Sequence, residues 1–138
     1  MTIATFHIIG DTNPEAPWLH CCTLCEQWVD EPQRSWVWCP DAALADQLDD
    51  LLWGFREDAF VPHSLDLEEE APITLGVEAP PPGFERLVNL SGQVPPNPRQ
   101  FAEIAEIVPG DEESRAAARL RWKAYKEAGL TVRHQPVG

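Results

Sequence analysis

The residues in this chain best suited to chemistry are its four cysteines, three of which fall within five positions. Cys22 and Cys25 form a C-x-x-C pair, and Cys21 precedes them beside His20. Zinc sites use such spacings, but a tetrahedral site needs a second pair of ligands, for which only Cys39 remains. Cysteines three and four residues apart also share one helix face, where they pack as small apolar side chains. We therefore expect buried or partly buried thiols. The alternative is a zinc- or thiol-containing binding module or enzyme that uses Cys21, Cys22 and Cys25.

Motifs for enzymatic chemistry are missing from the sequence. No G-x-G-x-x-G follows the first predicted strand, and neither the phosphate-binding G-x-x-x-x-G-K nor the nucleophile motif G-x-S-x-G occurs. A cysteine nucleophile would need a histidine base within hydrogen-bond reach, and nothing in the sequence shows that His7, His20 or His63 forms such a pair with a cysteine side chain. We expect no catalytic site, no metal and no cofactor.

Positive charge is concentrated near the C-terminal end of the chain. Six of the ten basic residues lie between Arg115 and Arg133. On a helix, residues three and four apart share a face, so this segment presents four cations and an aromatic ring together. We call this face the cationic stripe; it consists of Arg115, Arg119, Trp122, Lys123 and Lys126. The opposite face is apolar and is expected to pack on the core through Ala117, Leu120, Ala124 and Ala128.

The cationic stripe favours an acidic ligand that also carries an apolar group. Cations late in a helix complement the helix dipole, but a tryptophan among them is a better anchor than a solubilising residue. An acidic peptide with a terminal aromatic would find charge-assisted partners and a pocket together. Single-stranded DNA is the competing ligand, since bases stack on aromatic rings. Against a net charge of −13 so few cations would hold DNA weakly, and we expect little direct nucleic-acid binding.

Strand and helix patterns alternate in the first half of the chain. The β-branched segment Thr2–Ile9 predicts a buried strand, and apolar residues at helical spacing predict a helix over about 17–29. A second strand is expected at Ser35–Cys39, followed by a helix that Asp41 can cap and that continues to Trp53. Strands that alternate with helices at this spacing are typical of an α/β domain with a mostly parallel sheet.

The second half contains two further strand patterns and two predicted helices. Strands are expected at Ile73–Val77 and Arg86–Leu90, on either side of a proline run. Asn97 can cap a helix over about 98–107, with a proline in its first position. The last helix is expected over about 111–129, ending at a glycine. This last helix would carry the cationic stripe.

Length and charge limit the class of protein. The chain has 138 residues, which fits one domain over 1–138, and 43% of them are apolar, enough for an ordinary core. No apolar run approaches the roughly 20 residues that span a bilayer. Met1–Gly10 has no basic region before its apolar stretch and so does not resemble a signal peptide. We expect a cytoplasmic protein without membrane contact.

Three blocks of residues resemble the chi subunit of bacterial DNA polymerase III. The C-terminal block is Val108-Pro109 followed by RLRWKAYKEAG over Arg119–Gly129. A central block, LDDLLW, ends at Trp53 and is followed by Phe60-Val61-Pro62-His63. Near the N-terminus, Ala4-Thr5-Phe6 also matches, and the blocks occur in the family's order and spacing.

The resemblance implies a non-catalytic protein with a Rossmann-like, three-layer α/β fold. Members of this family join the psi subunit as an accessory to the clamp loader, and they bind the acidic C-terminal tail of single-stranded DNA-binding protein. By match to the tail-binding residues, Val108 would form a pocket wall, and Arg115, Arg119 and Lys123 would contact the tail. Trp122 stands where many relatives have Tyr, and Lys126 joins this set as a member of the cationic stripe.

A second surface follows from the same resemblance. By match to the residues that face psi, Trp53, Phe60 and Pro62 would form what we call the psi-type surface. From the sequence alone, the same three residues are equally consistent with core packing. The resemblance therefore implies two protein partners, and the two sets of residues that would contact them do not overlap.

Overall fold

The chain forms seven strands, three α-helices and one short 3₁₀ turn among residues 1–137, which are the residues that the computed structural model describes. The strands are β1 (Ile3–Ile9), β2 (Ser35–Trp38), β3 (His63–Ser64), β4 (Ile73–Gly76), β5 (Arg86–Asn89), β6 (Glu103–Val108) and β7 (Thr131–Val137). The helices are α1 (Ala16–Trp28), α2 (Ala42–Gly54) and α3 (Glu112–Glu127). None of these helices is long and apolar enough to cross a membrane.

All seven strands join one parallel sheet with the order β3-β4-β2-β5-β6-β1-β7. One face packs against α1 and α2, whose buried residues form a core with Val37, Leu75 and Val88. The other face packs against α3, in a second core that includes Phe6 and Trp36. The expected α/β fold, with three layers and a parallel sheet, is confirmed.

The alternation of side chains along β1 separates the two cores. Ala4 and Phe6 belong to the core on the α3 side, whereas Ile9 belongs to the core beneath α1 and α2. His7 also faces α1, where it contacts His20. Successive residues of a strand point to opposite faces, so one buried strand supplies apolar side chains to both layers.

Helices α2 and α3 begin with the same kind of cap. The Asp41 carboxylate accepts a hydrogen bond from the Leu44 N–H at 2.8 Å, and the Asp111 carboxylate accepts one from the Ser114 N–H at 3.0 Å. Each satisfies a backbone donor that has no partner within the helix. At the other end of α3, Gly129 has a φ of +87°, a conformation that glycine adopts without strain.

The helix expected over about 98–107 is wrong. Asn97 makes no side-chain cap there, and Pro98–Gln100 form only a short 3₁₀ turn. Glu103–Val108 then forms β6, which lies between β5 and β1 and pairs with both. A strand with neighbours on both sides satisfies its backbone groups through the sheet, and this outweighs the local helix-start signal. Among residues 1–137, α3 is therefore the one α-helix of the C-terminal part.

The apolar face expected for the last helix is wrong for two of its four residues, Ala117 and Leu120, whereas Ala124 and Ala128 are half-buried and Ala128 packs on the core. Leu120 is 74% exposed, and Ala117 is exposed as well. The residues of α3 that face the sheet are instead Ala118, Arg121 and Tyr125. Arg121 is drawn inward because its partner is a buried carboxylate, so the helix is rotated relative to the orientation that apolar residues alone would give.

Candidate functional site

A cavity of about 220 Å³ opens between α3 and the sheet. β1 and β6 form its floor, since Ile8 and Val108 are paired neighbours in the parallel sheet. β1 and β6 are parallel and end at the same edge of the sheet. Because α3 begins only a few residues after β6, the start of this helix lies close to that edge. The cavity is lined by Phe6, Ile8, Val108, Arg115, Ala118, Arg119 and Trp122.

Trp122 forms one wall of this cavity, which we call the α3 pocket. Its ring centre lies 5.2 Å from that of Phe6 in a tilted arrangement, and 6.2 Å from that of His134 on β7. The Lys126 ammonium lies 5.9 Å from the indole centre, which is within the range of a cation–π contact. The indole is therefore fixed on several sides, and its half-buried position leaves it accessible from the cavity.

Cationic side chains lie at the opening of the α3 pocket and along the helix beyond it. Arg115 and Arg119 line the pocket, whereas Lys123 and Lys126 are exposed on the same helix outside it. Arg119 Nη1 lies 3.1 Å from Glu112 Oε1, an exposed ion pair of the kind that contributes little energy. Arg115, Lys123 and Lys126 make no ion pair among residues 1–137. These cations can therefore contact an acidic ligand at little cost.

A buried polar network fixes α3 against the sheet behind this pocket. The Glu106 carboxylate on β6 accepts a hydrogen bond from Arg121 Nε at 2.9 Å, from Asn89 Nδ2 at 2.7 Å and from the Tyr125 hydroxyl at 2.5 Å. Glu106 is completely buried, and this burial raises the pKa of its carboxyl above the usual value, although Arg121, Tyr125 and Asn89 act in the opposite direction. Burial, and then the Glu106 charge, raises the pKa of the Tyr125 hydroxyl.

The structure brings most of the predicted tail-binding residues together and adds others. Val108, Arg115, Arg119 and Trp122 line one cavity, whereas Lys123 and Lys126 do not line it. The sequence did not identify Phe6, Ile8 or Ala118 as lining residues, nor Glu106 and Tyr125 as the support behind them. One signal was available for Glu106, which is an acidic residue within the apolar run IAEIV.

The residues of the psi-type surface lie elsewhere, at the end of α2 and in the segment before β3. Trp53 is 61% exposed and Phe60 is 70% exposed, so core packing is the wrong interpretation for both, whereas Pro62 is half-buried. The Trp53 ring rests against His63, with the ring centres 4.8 Å apart. His63 is held in turn by Asp49 Oδ1 at 2.9 Å from its Nε2 atom. Two large apolar side chains are thus presented to solvent, and one of them, Trp53, rests on a ring that is itself held in place.

The interpretation of the cysteines as buried thiols is confirmed. All four are free and buried, in the core that α1 and α2 form with the sheet. Burial, and then the neighbouring Cys25, raises the pKa of Cys22 to about 12, and burial raises that of Cys39 to about 12. Such thiols are poor nucleophiles, because the thiolate is the reactive form. Among residues 1–137, no group of three or more His, Cys, Asp or Glu side chains is arranged to hold a metal ion.

Comparison with known proteins matches most of the chain to one family. The family model described as "DNA polymerase III chi subunit, HolC" matches residues 1–133. The DNA polymerase III subunit chi of Pseudomonas aeruginosa is 37% identical over 135 residues, which cover 96% of this chain and 94% of the relative. The chi subunit of Escherichia coli is 29% identical over 142 residues, with 96% of each chain covered. That of Haemophilus influenzae is 27% identical over 122 residues, with 85% of each chain covered.

One similar solved structure shares only the fold. The crystal structure of T4 UvsW superposes with a TM-score of 0.63 at 8% sequence identity. The match covers 99% of this chain but 41% of that longer protein. At this level of identity the likeness concerns the α/β architecture alone.

Proposed function

The chain belongs to the DNA polymerase III chi subunit family, and on this basis we propose that it is a non-catalytic accessory subunit that binds the acidic C-terminal tail of single-stranded DNA-binding protein. The tail binds in the α3 pocket and along the cationic stripe. A psi-type partner binds the psi-type surface and links the chain to the clamp loader in the cytoplasm. The protein thereby connects the polymerase machinery to the coated template.

The observation that carries this proposal is the α3 pocket itself. Val108 and Trp122 supply apolar walls for a terminal aromatic side chain, while Arg115 and Arg119 supply donors at the opening. A terminal aromatic next to a free carboxylate and acidic residues matches this combination, because the ring is buried while each anion finds a cation. Lys123 and Lys126 extend the positive surface along the helix for the acidic residues that precede the terminus.

The charge of the rest of the chain supports a peptide ligand over DNA. The net charge is −13 although the last helix is rich in cations, so an extended polyanion would meet repulsion beyond the stripe. A short acidic peptide neutralises the stripe without reaching the acidic surface. We therefore expect tail binding that weakens as salt is added, with little direct nucleic-acid binding.

Calorimetric titration with about the last ten residues of the host's single-stranded DNA-binding protein tests the tail site, at two salt concentrations. One-to-one binding that weakens with salt and is lost with a scrambled peptide is the expected result. Arg119→Ala and Lys123→Ala should each weaken binding without unfolding the protein. Loss of a charge-assisted hydrogen bond is worth about 1.5–3 kcal/mol, or roughly tenfold to 150-fold in affinity for Arg119→Ala.

Arg99→Ala is the matched control, since Arg99 is an exposed arginine outside the α3 pocket and the cationic stripe. The affinity of Arg99→Ala for the tail peptide should equal that of the unmodified protein at both salt concentrations. Unchanged affinity in both Arg119→Ala and Lys123→Ala would remove the cationic stripe from the mechanism. Absence of binding at low salt would limit the family relationship to fold.

The psi-type surface is supported by the exposure of its two largest side chains. Trp53 and Phe60 together present a large apolar area to solvent, and aromatic side chains of this kind are frequent anchors of protein interfaces. Support from His63 beneath Trp53 means that little side-chain freedom is left to lose on binding.

Phe60→Ala tests this second surface. Binding of a psi-type partner should be lost or reduced by on the order of thirtyfold or more, as for an interface anchor, while tail binding is retained. Leu120→Ala is the matched control, because Leu120 is equally exposed but lies on α3 and outside the psi-type surface. Loss of both activities in Phe60→Ala would mean that Phe60 supports the fold rather than an interface.

A further inference from the structure

A wide groove lies away from both proposed sites. It has a volume of about 620 Å³, within the range of ligand-binding sites, and shares no lining residue with the α3 pocket or the psi-type surface. The beginning of α2, the end of β4 and the loop after β3 form its walls. We call it the β4 groove, and its lining includes Asp46, Leu65, Asp66, Leu67, Val77 and Glu78.

Three apolar side chains of the β4 groove are exposed. Leu65 is 44% exposed, Leu67 is 48% exposed and Val77 is 43% exposed. Scattered exposed leucines are ordinary on a protein surface, but these three line one concave site. An apolar side chain of a ligand would find contacts here that solvent does not provide.

The backbone along the same groove is an incomplete sheet edge. β3 has only two residues and pairs with Ile73 and Thr74 of β4. Leu75 and Gly76 pair with β2 on their inner side, and among residues 1–137 no strand pairs with their outer side. Unpaired strand edges bind extended peptides through main-chain hydrogen bonds.

The segment that follows β4 is held in place beside this edge. The indole N–H of Trp38 donates to the Val77 carbonyl at 3.2 Å, and the indole N–H of Trp36 donates to the Glu78 carbonyl at 3.3 Å. Two buried tryptophans thus fix the backbone that forms one wall of the groove. An incoming segment would meet an edge that is already ordered, which lowers the entropy cost of binding.

The charges that line the β4 groove have one sign. Asp46, Asp66 and Glu78 line it, and no Lys or Arg does. Glu68, Glu69 and Glu70 follow Leu67 in the same exposed loop. The carboxylates of Asp46 and Glu78 have no hydrogen-bond or ion-pair partner among residues 1–137, so they are free to pair with a cationic ligand. The shape of the groove, the unpaired edge of β4 and the negative charge of the lining therefore all favour the same kind of ligand.

We propose that the β4 groove binds an extended segment of a partner protein in which basic and apolar side chains alternate, added as a strand beside Leu75 and Gly76. In an extended segment, successive side chains point in opposite directions. The apolar set packs on Leu65, Leu67 and Val77, and the basic set reaches the carboxylates at the rim. This site is independent of the tail site and of the psi-type surface.

The probe is an amidated peptide of about eight residues in which Lys alternates with Val, titrated into the full chain while backbone amide shifts are followed by NMR. Saturable binding is expected, with the largest shift changes in the loop after β3 and in the residues that follow β4. The same peptide with Glu in place of Lys should not bind. A peptide with N-methylated backbone amides should bind at least about tenfold more weakly, because it cannot complete the sheet edge.

The double variant Asp46→Lys/Glu78→Lys tests the charges. It should weaken binding of the Lys-Val peptide at least about tenfold, since two attractive contacts become repulsive. Asp30→Lys/Glu127→Lys is the matched control, because it changes the net charge equally at exposed positions outside the groove. Its affinity should remain within about twofold of the unmodified protein once salt is present to screen the overall charge.

Four results would overturn the proposal. The first is that the Lys-Val peptide shows no saturable binding at low salt. The second is that the two double variants lose the same affinity for this peptide, which would indicate attraction to the overall acidic charge. The third is a shift map centred on Trp53 and Phe60 or on α3 rather than on the groove. The fourth is equal affinity for the N-methylated peptide, which would exclude strand addition. Unfolding midpoints of the variants verify that each is folded.

Discussion

The two faces of the sheet are stabilised by different chemistry. On the α3 face, the buried carboxylate of Glu106 joins β6, β5 and α3 through three hydrogen bonds. On the opposite face, the core beneath α1 and α2 contains leucines, a tryptophan and four buried cysteines, and the buried His7 contacts His20 there. Hydrogen bonds are directional, whereas apolar packing is not. The face that carries the α3 pocket is therefore the one whose helix has a fixed rotation.

A fixed rotation matters because the α3 pocket is built from both the helix and the sheet. Val108 belongs to β6, and Arg119 and Trp122 belong to α3, so a small rotation of the helix would separate them. The network holds Arg121 and Tyr125 one turn apart on the buried side, which directs the cationic stripe outward. The psi-type surface does not depend on this network, since Phe60 lies in the segment between α2 and β3, and Trp53 rests on His63, which Asp49 holds.

Removing Glu106 should have the largest effect on this comparison. Glu106→Ala leaves the buried Arg121 and Tyr125 without their acceptor, and breaking a buried pair in this way costs about 3–5 kcal/mol of the free energy of unfolding. Urea unfolding measures this loss. Tail affinity should also fall, although Glu106 lines no part of the pocket.

Glu106→Gln is the matched control, because it keeps an acceptor for Tyr125 while removing the charge opposite Arg121. It should lie between the unmodified protein and Glu106→Ala in both stability and tail affinity. A loss below about 1 kcal/mol in Glu106→Ala would contradict the view that this network fixes the helix.

Acid should weaken the α1/α2 face through His7. Burial, and then the charge of His20, lowers the pKa of His7 from 6.5 to about 4. Between these values the unfolded chain binds a proton that the folded protein does not, so stability is complete above pH 6.5 and falls as the pH drops toward 4. The loss is at most about 3.5 kcal/mol, because one pKa unit corresponds to about 1.4 kcal/mol.

The measurement is the difference in unfolding free energy between the unmodified protein and His7→Leu across this pH range. The carboxylates are common to both proteins and cancel to first order in the difference. The unmodified protein should lose stability relative to His7→Leu as the pH falls. Parallel pH profiles would show that His7 titrates alike in the folded and unfolded states.

Local patterns predicted most elements of the fold, and non-local contacts explain the failures. The strand at Ile3–Ile9 and the three α-helices follow from short-range periodicity and caps such as Asp41. β6 was predicted as a helix because Asn97 and Pro98 form a helix-start signal, whereas its actual conformation depends on β1 and β5, which are distant in sequence. β7 was not predicted, since it completes the sheet only by pairing with β1.

The candidate site was predicted in part for the same reason. Arg119 and Trp122 share a helix face by spacing alone, so they could be assigned from the sequence. The rotation of α3 could not be predicted from the sequence, because it depends on the contact between Arg121 and Glu106. Leu120 was therefore expected in the core, although it is 74% exposed. Phe6 lines the pocket only because β1 lies beside β6 in the sheet.

A hydroxyl placed among the cysteines should reveal how apolar the α1/α2 face is. Cys22 is completely buried, and Cys22→Ser would introduce a stronger hydrogen-bonding group into an apolar site. We expect a loss of about 1–3 kcal/mol of the free energy of unfolding, whereas Cys22→Ala, which adds no polar group, should cost less. Urea unfolding of the two variants measures the difference. Equal losses would indicate that the hydroxyl finds a partner, as polar groups do on the α3 face.

The smallest expected effect compares two helix caps of the same kind on opposite faces. Asp41→Ala removes the acceptor for the Leu44 N–H at the start of α2 and should lower the free energy of unfolding by about 1 kcal/mol. Asp111→Ala removes the equivalent acceptor on α3 and should destabilise in the same direction. Only Asp111→Ala should also weaken tail binding, because the first turns of α3 carry Arg115, which lines the pocket. Urea unfolding and peptide titration on both variants separate these effects. Equal tail affinity in the two would mean that the network at Glu106 positions the pocket without help from the cap.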